Sequence, residues 1–404
     1  MATRLADSSS TVTLADALLR QIATKIQLSQ TDYGVAVDHY EAVDKFLARE
    51  KSPIQHIFGG LYPQGSMAIG ATIASRLKND EFDIDVIANL NIRADTAPGA
   101  VLDALYEAVN GEPGSIYHGK VARNSRCVTI EYDRMHLDIT PAVRLPQFVE
   151  RTSVIFHAHE DEPPAKHRHI VANPWGFAQW FINETPDVQT VVEGVLHKSS
   201  EPVPDQEHVL EKSVSLIALQ LLKRWRNKCY DNRPRSKRCP PSVILAYYIA
   251  VNSGHSRDLY GELIAQSEAL YSVFSKAQNS GQLVSVQNPS CVTDVLTDRW
   301  PGDLDNQSIF VNDLKNLRHQ LAKIGATPTP EICAQVFSEL LGENVTRVVM
   351  EEFAANYETR AMGGGLFSNG GANGIALGAS GLAATPINAI AKPIPRHTDF
   401  GDGD

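Results

Sequence analysis

The sequence predicts an α+β fold built from two unlike halves. Three observations predict it. Short apolar and alternating runs of strand length are confined to about the first 170 of the 404 residues. Beyond them every long segment carries helical periodicity. The composition, 43% hydrophobic and 21% charged, is that of an ordinary globular chain with enough apolar residues for a sizeable core.

The elements follow in order. Residues 13–29 space their apolar side chains as a helix does, with Thr13 as its cap. A second helix is expected from about Thr31 to Glu50, opening on a Thr-Asp pair and ending before Pro53. IFGGLYPQGS is strand-like and leads into a helix predicted over residues 67–75, MAIGATIAS. FDIDVIANL reads as a buried strand, and APGAVLDALYEAVN as a helix. RCVTIEYD and HLDITPAV form an antiparallel pair turning near Asp133 to Met135, and SVIFHAH is a further strand.

From about residue 171 the helices are NPWGFAQWFINE, QEHVLEKSVSLIALQLLKRWRN, SVILAYYIAVN, DLYGELIAQSEALYSVFSKAQ, IFVNDLKNLRHQLAKI, PEICAQVFSELLG and ENVTRVVMEEFAANYE. The stretch 361–404 holds ten of the 27 glycines and few charges, the composition of a flexible tail.

Composition also excludes functions. No apolar run approaches the roughly 20 residues that cross a membrane, and the N-terminus lacks a signal peptide's apolar block. Five cysteines with wide spacings suggest neither a disulfide framework nor a zinc site. The expected setting is cytoplasmic. A net charge of −10 argues against general nucleic-acid binding. Positive charge is nevertheless concentrated from Lys223 to Arg238, with eight basic residues against Asp231 alone.

The chemistry centres on Gly65-Ser66, Asp83-Ile84-Asp85 and Asp138. Side chains alternate along a strand, so Asp83 and Asp85 share a face while Phe82, Ile84 and Val86 enter a core. Two carboxylates so close repel unless a cation lies between them. Hard oxygen ligands suit Mg²⁺. Asp138, between Leu137 and Ile139, supplies a third carboxylate and is preferred to Glu131 and Asp133 because it is embedded in an apolar strand. Three carboxylates make a two-metal site. Gly65 permits close backbone approach, and Ser66 precedes the expected helix, an arrangement suited to phosphate. Phosphate cradle and carboxylates together indicate nucleotidyl transfer. Each motif alone is weak: acidic pairs often decorate solvated strand edges.

GSMAIGATIASRLKNDEFDIDVI followed by HLDIT resembles the nucleotidyltransferase core of the cGAS/DncV-like nucleotidyltransferases, the bacterial CD-NTases. NPWGFAQWF, LLKRWRN, CPPSVILAYYIA and NPSCVTDVLTDRW are similar to that family's helical half. The likeness covers roughly residues 15–360. It implies a polymerase-β-like nucleotidyltransferase core with N-terminal helices over 1–170, an α-helical domain over 171–360 and a tail over 361–404, with the active site in the cleft. It implies a cyclic oligonucleotide synthase that joins nucleoside triphosphates, ATP and GTP by family frequency, into a second messenger for CBASS anti-phage defence. By this resemblance Asp83, Asp85 and Asp138 are catalytic and hold two Mg²⁺, with Mn²⁺ able to substitute. Gly65, Ser66, Lys223 and Ser242 bind nucleotide. CBASS accessory proteins are the implied partners of the tail, although the chain ends Phe400-Gly401-Asp402-Gly403-Asp404 rather than on a glycine.

Plainer readings stand beside these. Lys223 lies in a basic run, which usually forms a solvated helix face. Ser242 follows two prolines and can serve as a helix cap. Tyr247 and Tyr248 read as core. His157, His159, His167 and His169 fall in a Pro-rich, charged segment that reads as an exposed loop rather than a zinc site. Two other functions fit the same core: nucleotidyl transfer to an RNA or protein acceptor, and a non-catalytic nucleotide-binding scaffold.

Overall fold

The computed structural model describes residues 13–74, 82–185, 212–234, 236–254 and 258–362. Helix α1 (Leu14–Ile26) begins at Thr13, whose hydroxyl accepts the Asp16 N–H at 3.2 Å. Helix α2 (Gln30–Leu47) begins at Ser29, which accepts the Asp32 N–H at 3.0 Å; the cap lies ahead of the expected Thr-Asp pair.

Strand β1 (Phe58–Gln64), the single turn α3 (Gly65–Ala68) and strand β2 (Phe82–Leu90) follow. Next come α4 (Pro98–Asn110), β3 (Val121–Arg123), β4 (Val128–Glu131), β5 (Met135–Arg144), β6 (Ser153–His157) and β7 (Arg168–Ala172). The strands form one mixed sheet in the order β1-β2-β5-β4-β3, with β6 on β5 and β7 on β6. Only β2 and β5 run parallel; the β4–β5 pair is antiparallel, as the alternation predicts. Helices α2 and α4 cover one face, enclosing Tyr40, Val43, Leu105, Ile84, Val86, Leu137 and Ile139. The Tyr40 hydroxyl donates to the Leu61 carbonyl at 2.9 Å, and Asp44 accepts the Leu61 N–H at 2.9 Å, which pins α2 on β1.

The second half contains α5 (Pro174–Glu184), α6 (Val214–Tyr230), α7 (Ser242–Val251), α8 (Leu259–Asn279), α9 (Leu304–Ala326), α10 (Pro330–Leu341) and α11 (Glu343–Met362). A small hairpin, β8 (Gln287–Asn288) and β9 (Cys291–Val295), interrupts them. Leu18, Leu19 and Ile22 of α1 join this helical core beside Leu219, Leu222 and Phe310. Among the described residues no helix is long and apolar enough to cross a membrane. Residues 206–211 of the expected α6 segment, and the tail beyond Met362, lie outside the described residues.

The helix predicted over 67–75 does not form. Gly70 has φ +66°, which ends the turn begun at Gly65, and the carbonyls that follow are taken by side chains. Lys212 Nζ donates to Gly70 O at 2.9 Å, Lys223 Nζ to Ala71 O at 2.8 Å and Gln220 Nε2 to Thr72 O at 3.1 Å. Arg224 Nη1 donates to Ala74 O at 3.3 Å. Four side chains in and just before α6 thus replace the intrahelical bonds that the segment would otherwise make.

Candidate active site

The sheet assembles the acidic group. In the parallel β2–β5 register Asp83 stands opposite His136, and Asp85 opposite Asp138. Their neighbours Ile84, Val86, Leu137 and Ile139 are fully buried on the helix-covered face, so the carboxylates occupy the other face. On its other side Asp85 pairs with Gln64, the last residue of β1, and the chain turns there into Gly65 and Ser66. Gly65 has φ +59°, and a Cβ on it would lie 2.5 Å from Asp85 Oδ2. Only glycine lets the backbone pass this close to the carboxylate. The single turn at Gly65–Ala68 is too short to supply a helix dipole, so the cradle consists of the glycine backbone and the Ser66 hydroxyl.

Electrostatics bind the group together. Burial, reinforced by Asp138 and Asp83, pushes Asp85 up to about 7, against the pull of Lys223. Burial also raises Asp138, opposed by the Thr129 hydroxyl that donates to its Oδ1. Asp83 Oδ1 lies 3.5 Å from His136 Nδ1. Burial and the neighbouring Arg226 push Lys223 down to about 7, with Asp85 and Asp83 working in the other direction.

Ser66, Asp83, Asp85, Lys223, Arg226 and Ser242 line one hollow. Gly65, Ser66, Asp85, Lys223 and Ser242 also line a second, which extends to Asn288, Asp294 and Arg299. Asp138 opens onto a third, shared with Asp85, Arg126 and Arg299. The three hollows join at Asp85, so all seven residues singled out from the sequence border one cleft system.

On α6 the basic run is not a solvated face: Lys223, Arg224 and Arg226 are buried. Arg224 Nε donates to Leu341 O at 3.0 Å, and Arg226 Nη1 to Pro240 O at 2.9 Å. Arg233 forms a two-pronged pair with Asp313 at 2.6 Å. Arg224, Lys228 and Arg233 tie α6 and the turn after it to their neighbours, while Lys223 and Arg226, themselves bonded to Ala71 O and Pro240 O, also line the cleft. Ser242 is no cap: Pro241 holds that position, while Ser242 Oγ accepts Arg226 Nη1 at 2.9 Å. The four histidines take separate partners or none. Arg126 Nε donates to His157 Nδ1 at 3.1 Å, His169 Nε2 lies 2.9 Å from Thr96 O, His159 Nδ1 accepts the Asp161 N–H at 3.2 Å, and buried His167 Nε2 has no partner.

The carboxylates suit a hard divalent cation chemically: three share a face, and Asp85 is ionised only against the repulsion of the other two. As they stand, Asp138 is turned to Thr129 and Asp83 to His136. Among the described residues no three acidic, histidine or cysteine side chains converge into a closed ligand set.

Residues 13–181 match the Second Messenger Oligonucleotide or Dinucleotide Synthetase domain. The chain is 33% identical to the cyclic dinucleotide synthase CdnG of Bradyrhizobium diazoefficiens, over 96% of this chain and 94% of that protein.

The chain belongs to the CD-NTases.

As a CD-NTase it is a nucleotidyltransferase that makes a cyclic dinucleotide. It is also 25% identical to a c-di-GMP synthase of Roseivirga ehrenbergii, over 95% of this chain and 96% of that one. The structure of the Bradyrhizobium diazoefficiens CD-NTase CdnG in complex with GTP superposes with a TM-score of 0.69, at 32% identity, over 84% of this chain and 99% of the other. The polymerase-β-like architecture expected from the sequence is thereby established for this CD-NTase.

Among the cleft residues that escaped the sequence reading are four polar ones, Arg126, Asn288, Asp294 and Arg299. Arg126 Nη2 donates to Asp298, which joins the β3–β4 loop to the segment after β9. NPSCVTDVLTDRW carries three of the four, but its alternation is too brief to reveal a strand, and no carboxylate pair marks it. Tyr247 packs on Trp180 with ring centroids 5.6 Å apart and lines none of these three hollows.

Proposed function

We propose that this cleft joins GTP and ATP into a cyclic dinucleotide-type second messenger for anti-phage signalling. The observation that carries the reading is the convergence of Ser66, Asp83, Asp85, Lys223 and Ser242 on one hollow, with Asp138 in register beside Asp85. GTP is favoured by the GTP complex of the Bradyrhizobium relative; ATP rests on the family resemblance.

Asp83, Asp85 and Asp138 would hold Mg²⁺, as two ions with Mn²⁺ able to substitute. Bound there, the metal supplies activation of the attacking hydroxyl and neutralisation of charge on the leaving pyrophosphate. Gly65 lets the triphosphate approach the backbone. Ser66 donates its hydroxyl. Burial and Arg226 disfavour the Lys223 ammonium in the free chain, and the arriving polyanion favours it, because a nearby negative charge stabilises the charged form. Ser242 accepts from Arg226 and so keeps its own O–H for a phosphate oxygen. The division into 1–170, 171–360 and a 361–404 tail that docks accessory proteins belongs to the same proposal, with α1 reaching across to the helical core.

The test is incubation with all four NTPs and Mg²⁺ or Mn²⁺, phosphatase treatment and mass spectrometry. A phosphatase-resistant cyclic product is expected, and Asp83→Ala with Asp85→Ala abolishes it without unfolding the chain. A product that forms only when RNA or protein acceptor is added would overturn the reading.

A further inference from the structure

Asp294, near the end of β9, lines the same hollow as Ser66, Lys223 and Ser242. Its Oδ2 accepts the Asn173 backbone N–H at 3.1 Å and Asn288 Nδ2 at 2.9 Å. Both donors are held by further hydrogen bonds. Asn173 is fully buried; its Oδ1 accepts the Gly176 N–H at 2.7 Å, and its Nδ2 donates to Glu150 O at 3.0 Å. Asn288 is also fully buried, donates to Asn173 O at 2.9 Å and accepts the Ser290 N–H at 2.9 Å. The carboxylate is therefore clamped by one oxygen. Among the described residues no donor engages Oδ1.

A clamped carboxylate with one open oxygen is a rigid, acceptor-only group. The purines differ at the edge such a group reads. Guanine presents N1–H and N2–H donors side by side, whereas adenine presents an N1 acceptor and a carbon-bound hydrogen. We propose that Asp294 is the residue that selects guanine over adenine, by accepting from the N1–H/N2–H edge of the nucleotide whose triphosphate lies at Ser66, Lys223 and Ser242. The proposal rests on the functional reading above. The cleft runs from that phosphate end to Asp294 along Phe177, Ala246 and Leu296, apolar surface on which a base can lie. The two charged groups that act on Asp294, Asp298 and Arg126, are paired with each other.

The test measures binding of α,β-methylene analogues of GTP, ATP and ITP, which cannot be transferred, in the presence of Mg²⁺. The wild-type chain should bind the guanosine analogue about tenfold or more tightly over the adenosine one, because a buried acceptor left unpaired penalises the wrong base. It should bind the inosine analogue, which lacks the N2 amine, more weakly than the guanosine one; this arm needs no variant. Asp294→Asn keeps an oxygen for the Asn173 and Asn288 donors and places an NH₂ where Oδ1 was. Guanosine affinity should fall about ten- to a hundredfold while adenosine affinity does not fall. Equal losses for both bases, or a wild-type chain indifferent to the three bases, would overturn the assignment and leave the functional reading intact. Binding of none of the three by the wild-type chain would sink both.

Discussion

Gly65→Ala should disable the enzyme while leaving it folded. Gly65 sits at φ +59°, where an L side chain costs about 1–2 kcal/mol. Gly70, at φ +66°, carries the same penalty. Their surroundings differ. A Cβ at 65 would lie 2.5 Å from Asp85 Oδ2, whereas one at 70 meets only Leu216 Cδ2, at 3.8 Å. Relief of the first contact needs a shift of about 1 Å in the carboxylate or the turn, and a misplacement of that size costs about a hundredfold in rate. Gly70→Ala is the matched control. Chemical denaturation should show both variants destabilised by about 1–2 kcal/mol. Turnover of GTP and ATP should fall about a hundredfold in Gly65→Ala and only slightly in Gly70→Ala. Wild-type turnover in Gly65→Ala, or equal losses in the two, would refute the argument that the close approach to Asp85 is what requires glycine.

Lys223→Met should change how stability depends on pH. In the native chain Lys223 loses its proton near 7, while an unfolded lysine keeps it to 10.5, so between those values the unfolded state binds more protons and stability rises with pH. The melting temperature of the nucleotide-free wild type should therefore climb relative to the variant from pH 7 to pH 10; parallel curves contradict this. Ser242→Ala should raise the KM for nucleotide about tenfold, the value of one charge-assisted hydrogen bond, with stability within about 1 kcal/mol of wild type. An unchanged KM removes Ser242 from the phosphate site. Asn173→Ala should cost about 2–4 kcal/mol in urea unfolding, since it deletes the α5 cap and strands the Glu150 carbonyl. A loss under 1 kcal/mol would mean that water replaces these bonds.

Much of the site was legible in the sequence because its logic is local. Period-two alternation alone sets Asp83 and Asp85 on one face and Ile84 on the other. Helical spacing likewise revealed α1 and the long helices of the second half. The failures share a cause. MAIGATIAS has helical composition, yet its carbonyls are claimed by Lys212, Lys223, Gln220 and Arg224, residues about 150 positions later in the chain. The same contacts turn the start of the basic run, on α6, from a solvated face into a tether. Asp294 looks like one acid among 47 until the β8–β9 hairpin folds against the α5 cap.

The sequence by itself determined which residues share a face and which segments coil, since dihedral preference and side-chain period act within a few residues. Only the tertiary structure decided that Asp138 stands beside Asp85, that Lys223 and Ser242 meet Ser66, and that one oxygen of Asp294 is clamped by Asn173 and Asn288. Those outcomes depend on the pairing of strands some 50 residues apart and on donors finding carbonyls across the fold, and no local rule of the chain contains them.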